Sequence, residues 1–294
     1  MTAQIARAVG PEKIDVAYEC FGCPSDPALL MIMGVGGQMI GWSDGFIEQL
    51  VTKGLYVICF DNRDVGLSTH FHDNPLPNLA AALAGDFSCV GYTLSDMAAD
   101  AIGLLDFLHI ARAHIVGLSM GGYIGQTLAI EHPERVCSLV SMMATTGAMS
   151  VGQPDPAVLG AMSQVSGEGR EAAAEAALRV FRIIGSPAFP TPDEVVRART
   201  LRAYDRAQDV LGVARQAIAS VASGDRTEKL KTLTVPTLVI HGDSDKMCDV
   251  SGGRATAAAI PGARLEIIEG LGHDLPEQLW PRLAELIAQE TKAA

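Results

Sequence analysis

The sequence predicts an α/β fold built on a mostly parallel, doubly wound sheet. Short apolar runs alternate with longer helical patterns along the chain, as strand–helix–strand crossovers do. Runs such as Ala28 to Met33 are apolar throughout, which is the pattern of strands buried on both faces. Glycine-rich loops follow the runs that end near Val116, Gly242 and Glu269, and open parallel sheets keep their sites at that edge.

Each element has its own warrant. Lys13 to Cys20 alternates with period two and reads as an early strand. Ala28 to Met33 is the continuous strand, followed by a helix from Trp42 to Lys53 with Ser43 near its start, then a strand from Tyr56 to Phe60. Leu94 to Leu108 carries apolar residues at Leu94, Met97, Ala101, Leu104, Leu105 and Leu108, one helical face. A strand over Ala113 to Val116, a helix over Tyr123 to Ile130 and a strand over Val136 to Met142 come next. About ninety residues then separate Met143 from Pro236, where a crossover needs about a dozen, so an insertion is expected.

The insertion reads as helical. Ala173, Ala177, Val180 and Ile184 share one face, while Arg170, Arg179 and Arg182 fall largely elsewhere. Thr191-Pro192-Asp193-Glu194 reads as a helix start: a cap, a proline in first position, and acids in the first turn. Leu211, Ala214, Ile218 and Val221 form another stripe, closed by Gly224. Pro236 opens a strand that Gly242 ends, and Leu265 begins a last one that runs into Gly270 to His273. The expected organisation is a core over 1–146, a helical cap over 147–228 and the rest of the core over 229–294.

Composition narrows the partners. Among 294 residues, 48% are hydrophobic and 30 are glycine, as suits a buried parallel sheet. A formal net charge of −12 argues against nucleic acid and against anionic membrane surfaces. The stretch from Met1 to Arg7 lacks the apolar core of a signal peptide, and no run reaches the ~18 apolar residues of a membrane span. A soluble cytoplasmic protein is expected, and homo-oligomerisation is left open. Of six cysteines, Cys20 and Cys23 have a metal-like spacing but lack a second pair; Cys59 and Cys137 read as core thiols, and Cys248 lies three residues past Asp245. Free thiols fit better than a disulfide frame.

The most informative motif is Gly117-Leu118-Ser119-Met120-Gly121, between an apolar run and a helical pattern. That context is a nucleophile elbow, a tight strand-to-helix turn that holds a serine hydroxyl above the sheet and needs small neighbours. The bland alternative is a glycine-rich turn whose serine caps the helix. A nucleophilic serine needs a base, and the base an orienting acid. Downstream, the loop with Asp243 and Asp245 and the loop with His273 each follow a strand. Asp274 reads as a helix-start residue before Pro276, His241 as structural, and His109, His114 and His132 as surface or capping groups. His70 and His72, two apart, are weak evidence for metal. Asp61, Arg63 and Asp64 read as a polar turn with a structural ion pair. Met39, Met120, Met149, Met162 and Met247 are candidates for an adaptable pocket wall, with core filling as the default.

Taken together, the elbow, the Asp61 to Ser68 turn, the His241 to Asp245 loop and the Gly270 to His273 loop resemble the α/β-hydrolase fold, and within it the aclacinomycin methylesterase-like and haloperoxidase-like serine hydrolases. The resemblance covers nearly the whole chain. It implies Ser119 as nucleophile, His273 as base and Asp245, rather than Asp243, as the orienting acid. It implies an oxyanion hole from the N–H groups of Met120 and Val35, and a helical cap over the pocket. Met33-Gly34 stands where many relatives have His-Gly. The implied activity is hydrolysis of small, mostly apolar carboxylic esters through an acyl-enzyme, without cofactor or metal. Acyl transfer, lactone opening and perhydrolysis would use the same residues, and a non-catalytic binding protein on this fold is a further alternative. Serine at the nucleophile position argues against dehalogenase and epoxide hydrolase relatives, which use aspartate.

Overall fold

A computed structural model describes residues 3–164 and 167–293. Met1 and Thr2 of the N-terminal stretch, Val165 and Ser166 of the expected insertion, and Ala294 lie outside the described residues. Eight strands form one sheet: β1 (Gln4–Val9), β2 (Ile14–Phe21), β3 (Ala28–Ile32), β4 (Tyr56–Phe60), β5 (Ala113–Leu118), β6 (Val136–Met142), β7 (Thr237–Gly242) and β8 (Arg264–Ile268). Their spatial order is β1-β2-β4-β3-β5-β6-β7-β8. β3 to β8 run parallel, while β2 is antiparallel to both β1 and β4.

The sequence reading lacks β1. Its pairing with β2 is irregular between Ala6 and Val9, so its buried residues do not keep the period of two that marks a half-buried strand. The other strands lie within a few residues of their predicted positions.

Helices cover both faces. α1 (Asp44–Thr52) and α11 (Trp280–Ala293) pack on one face over Met31, Trp42, Phe46 and Leu283. On the other face α3 (Leu94–Phe107) and α4 (Met120–Glu131) pack over Leu30, Ile32, Ile115 and Ile124. A capping box starts α3, with Asp96 Oδ2 accepting the Thr93 N–H at 2.7 Å. Short helices α2 (Leu79–Leu83) and α9 (Thr227–Leu230) and the helix α10 (Ser251–Ala259) complete the layers. Between β6 and β7 lie α5 (Pro156–Ser163), α6 (Arg170–Ile184), α7 (Asp193–Arg206) and α8 (Val210–Ala222). Among the described residues no helix is long and apolar enough to cross a membrane.

Three local readings change. Pro192, not Thr191, is the N-cap of α7; Thr191 Oγ1 instead lies 3.4 Å from Asp274 Oδ2. α6 buries Ala174 and Leu178, with Ala173, Ala177, Val180 and Ile184 half-buried beside them. α8 buries Gly212, Arg215, Gln216, Ile218 and Ala219, while Leu211 is 46% exposed. Its most buried stripe therefore includes its two most polar residues, because their partners lie beneath it.

Those partners belong to the turn after β4. Asp61, Asn62, Arg63 and Asp64 are all at most 2% exposed. Arg63 donates from Nε and one Nη to Asp100 of α3, at 2.6 and 2.9 Å. Asp64 accepts two bonds from Arg215 of α8, both 2.8 Å, and one from the Tyr92 hydroxyl, also 2.8 Å. Asp61 pairs with Arg206 of α7 at 2.7 Å and accepts the N–H groups of Met39 and Leu67. A Cβ at Gly66, which has φ +62°, would collide with the Asp61 carboxylate. Burial alone would raise the Asp64 pKa, but the bonds from Arg215, Phe71 and Tyr92 outweigh it and hold the carboxyl below its ordinary value. The expected ion pair is thus three buried pairs, each joining the turn to a different helix, beside a longer contact from Arg63 to the exposed Glu12.

Removing one side of such a pair strands the other charge away from water. Arg215→Met is expected to destabilise the fold by about 3–5 kcal/mol, and adding Asp64→Asn to recover part of that loss. Urea denaturation of both variants measures it; a loss below about 1 kcal/mol for the single variant would show the pair to be unimportant.

Candidate active site

β5 ends in the elbow. Ser119 has φ +56° and ψ −120°, a region an L residue enters only when its surroundings force it. The enforcement is steric and hydrogen-bonded. A Cβ at Gly121 would collide with the Ile32 carbonyl, and one at Gly117 with the Gly121 carbonyl, so strand and helix approach more closely than any side chain permits. The Ser119 N–H donates to Met142 O at 2.8 Å, and its carbonyl accepts from Gly122 and Tyr123. Ser119 is the residue before the first turn of α4, whose N-terminal end favours negative charge nearby.

The loop after β3 meets this serine. A Cβ at Gly34 would sit 3.1 Å from Ser119 Cβ and 3.5 Å from its Oγ. Within the loop, Gly36 N–H donates to Gln216 Oε1 at 2.8 Å and Gly37 N–H to Gly34 O at 3.0 Å. The Val35 N–H has no acceptor among the described residues, and the Val35 side chain is 40% exposed. Gln216, itself fully buried, also donates to Arg63 O at 2.7 Å. One amide therefore ties the loop beside Ser119 to the charged turn. Met39 and Met120 are buried in the core, Met247 is half-buried, and Met149 and Met162 are 70% and 60% exposed. None of the five is among the residues lining the cavity between the acid loop and the insertion.

Asp245 and His273 come together. His273 Nδ1 lies 2.7 Å from Asp245 Oδ2, with the carboxylate fully buried and the imidazole 11% exposed. Asp245 Oδ1 accepts the N–H groups of Met247 and Cys248, at 2.9 and 2.8 Å. Burial pushes the Asp245 carboxyl up, but the side chains of His241 and His273 and the Cys248 N–H outweigh that and hold it down at about 2. Nδ1 of His273 carries its proton toward this carboxylate, which leaves Nε2 free to act as a base. Burial raises the Cys248 thiol well above its ordinary value, so it stays a neutral core group despite its position. No hydrogen bond joins Ser119 Oγ to His273 among the described residues; catalytic contacts of this kind commonly tighten only with substrate bound.

Asp243 lies elsewhere: its Oδ1 accepts the Gly270 N–H at 2.8 Å and the Ser244 hydroxyl at 3.0 Å, tying the two loops together. Asp274 is not a helix-start residue. It is 6% exposed and accepts the N–H of Ser186 at 3.1 Å and the Ser186 hydroxyl. The whole histidine loop leans on this segment after α6. His273 N–H donates to Ile184 O at 2.7 Å, Gly272 N–H to Ser186 Oγ at 2.9 Å, and Ala188 N–H to Gly270 O at 3.2 Å. Sequence reasoning missed Ser186, Gln216 and Arg215; the one available signal was the polar pair Arg215-Gln216 interrupting an apolar stripe. His241 is fully buried and bonds Cys248 O at 2.7 Å, which fits its structural reading. His114 is buried too, against Ser138 Oγ at 2.8 Å, and is not a surface group.

A cavity of about 770 Å³ opens between the acid loop and the insertion, lined by Asp245, Lys246, Phe181 and Ile183 among others. Ser119 and His273 are not among its lining residues.

Known proteins share this architecture. The chain is 30% identical to the rhodomycin D methylesterase DnrP of Streptomyces peucetius, covering 98% of each. It is likewise 30% identical to 3-oxoadipate enol-lactonase 2 of Acinetobacter baylyi, over 87% of this chain and 86% of that one. Among solved structures, a hydrolase from Pseudomonas aeruginosa superposes with TM-score 0.73 at 25% identity, covering 100% of this chain and 99% of the other. The model of the alpha/beta hydrolase fold family matches residues 27–278. Strand order, elbow, loops and relatives agree, and the chain belongs to the α/β hydrolase fold family.

Proposed function

We propose that this protein is a serine hydrolase of small, mostly apolar carboxylic esters, with Ser119 as nucleophile, His273 as base and Asp245 as orienting acid. The observation that carries the reading is the 2.7 Å bond from His273 Nδ1 to the buried Asp245, on loops at the same sheet edge as the strained Ser119. His273 Nε2 takes the serine proton as Oγ attacks the acyl carbonyl, then returns it to the departing alkoxide; Asp245 stabilises the imidazolium between the two transfers. Water repeats the attack on the acyl-enzyme and frees the acid. The N–H groups of Met120 and Val35 receive the tetrahedral oxyanion, the first with the help of the α4 dipole.

The helices over 147–228 act as a cap that supplies pocket walls, and the core over 1–146 and 229–294 supplies the chemistry. Methyl esters of apolar acids are the first substrates to try, since the rhodomycin D relative is named a methylesterase. A lactone is a cyclic ester, so the same attack opens it, and the enol-lactonase relative makes lactones the second set.

Ser119→Ala or His273→Ala is expected to remove roughly 10³–10⁶ of turnover, and Asp245→Asn on the order of 10⁴, all with the fold intact. Steady-state kinetics on a nitrophenyl ester series reads this directly. If Asp243→Asn inactivated and Asp245→Asn did not, the acid would be misassigned.

Met120 contributes its backbone to the oxyanion hole and its side chain to the core. Met120→Ala is therefore expected to cost about 2–5 kcal/mol of stability while keeping most of kcat. A thousandfold fall in kcat in a folded variant would remove Met120 from the donor set.

The pH dependence has a definite sign. The Asp245 carboxyl, held at about 2 against an ordinary 3.8, is ionised throughout the neutral range. Its contribution to stability is complete above 3.8 and is lost as the pH falls through about 2. kcat/KM is thus expected to show no acid step from Asp245 across the neutral range. An acid step in that range that Asp245→Asn removes would contradict this.

A further inference from the structure

Apart from Ser119, Asp245 and His273, a second cluster joins the insertion to the core. His70 and His72 follow the charged turn after β4, and Asp209 is the N-cap of α8, 139 positions beyond His70. We propose that His70, His72 and Asp209 form a binding site for a transition-metal dication of the zinc type, clipping the core loop to the first turn of α8.

His70 faces an acceptor at each ring nitrogen. Its Nε2 lies 3.1 Å from Gly66 O, and a carbonyl only accepts, so that nitrogen carries a hydrogen. A neutral imidazole has one N–H. Its Nδ1 then turns a lone pair toward Asp209 Oδ2, 2.9 Å away, which also only accepts. A metal ion bound by both would satisfy these two lone pairs.

The surroundings favour a metal. His72 Nδ1 lies 3.7 Å from the same Asp209 oxygen, and the three donor atoms fall within 4.8 Å of one another. Ligands about 2.0–2.1 Å from a tetrahedral zinc stand about 3.3 Å apart, between the 2.9 and 3.7 Å seen here. The His72 side chain is 71% exposed and free to swing inward, and its ring already stacks on His70 at 10° between planes. The Gly66 carbonyl on the opposite nitrogen of His70 is the usual partner of a metal-bound histidine, fixing the ring and its tautomer. Asp209 Oδ1 is taken by the Gly212 N–H at 2.8 Å, which leaves Oδ2 as the ligand atom. Arg215 also approaches Oδ2, at 3.0 Å, but its charge is matched by two bonds to Asp64. One arginine thus faces two carboxylates, and the group keeps a net negative charge for a further cation. Two imidazoles and one carboxylate suit zinc, cobalt or nickel better than calcium or magnesium, which prefer all-oxygen sets.

The test uses the full chain, freed of any affinity tag and stripped with EDTA. Calorimetric titration with Zn²⁺ is expected to show one saturable site of micromolar affinity or better, and Co²⁺ to give visible d–d absorption. At a hundredfold excess over Kd, Zn²⁺ is expected to raise Tm by roughly 3–10 °C. His72→Ala, on an exposed side chain, leaves the fold alone and is expected to weaken Zn²⁺ at least tenfold and to erase the Tm shift. His132→Ala, a histidine outside the cluster, is expected to change neither. Absence of saturable binding would overturn the proposal. Zn²⁺ binding unchanged by His72→Ala would overturn it as well.

Discussion

Everything near the serine rests on charges buried in the turn from Asp61 to Asp64. Each ion there would cost several kcal/mol if left unpaired away from water. None has a partner on its own turn: Arg63 needs Asp100 from α3, Asp61 needs Arg206 from α7, and Asp64 needs Arg215 from α8. The demand for partners thus fixes where two helices of the insertion must sit. It reaches the serine through amides. Asp61 holds the Met39 N–H, Arg206 holds Gln38, and Gln216 bridges Arg63 O to the Gly36 N–H. The loop from Gly34 to Met39 therefore takes its shape from ion pairs formed further down the molecule.

The elbow is constrained in a complementary way. Gly121 sits against the Ile32 carbonyl at the end of β3, so α4 and the loop after β3 cannot move independently. Backbone strain at Ser119 is of order 1–3 kcal/mol, and it persists because close packing and the Ser119-to-Met142 bond leave no relaxed alternative. A side chain at either glycine would part strand from helix and relax the serine together.

Much of this was legible in the sequence. Seven of the eight strands announce themselves by unbroken apolar runs or clean alternation, and the elbow by glycines that only a close approach requires. Ser119 is marked by its glycine-flanked turn, and Asp245 and His273 by loops that follow apolar strands, with Asp245 preferred to Asp243 only through the family resemblance. The rest was hidden for identifiable reasons. An irregular pairing erases the period of β1. α8 buries Arg215 and Gln216, and no local pattern distinguishes a polar residue turned inward from one turned to water. Asp274 looks like a helix start because Pro276 follows it, whereas its true partners, Ser186 and Thr191, lie more than eighty positions away. Long-range polar pairing leaves no periodic trace.

The seat of His273 carries a lesson for anyone redesigning the enzyme. The segment from Ile184 to Thr191 is both the end of α6 and the bracket that holds the histidine loop, through Ile184 O, Ser186 Oγ and the bonds to Asp274. Grafting a foreign segment across 147–228 would remove this bracket and unseat His273 with it. Drift in α5 and in the outer faces of α6 and α7 carries no such penalty. Sequence change on this scaffold is therefore channelled: the far side of the inserted helices is free to vary, while the segment that meets His273 is inherited as a block.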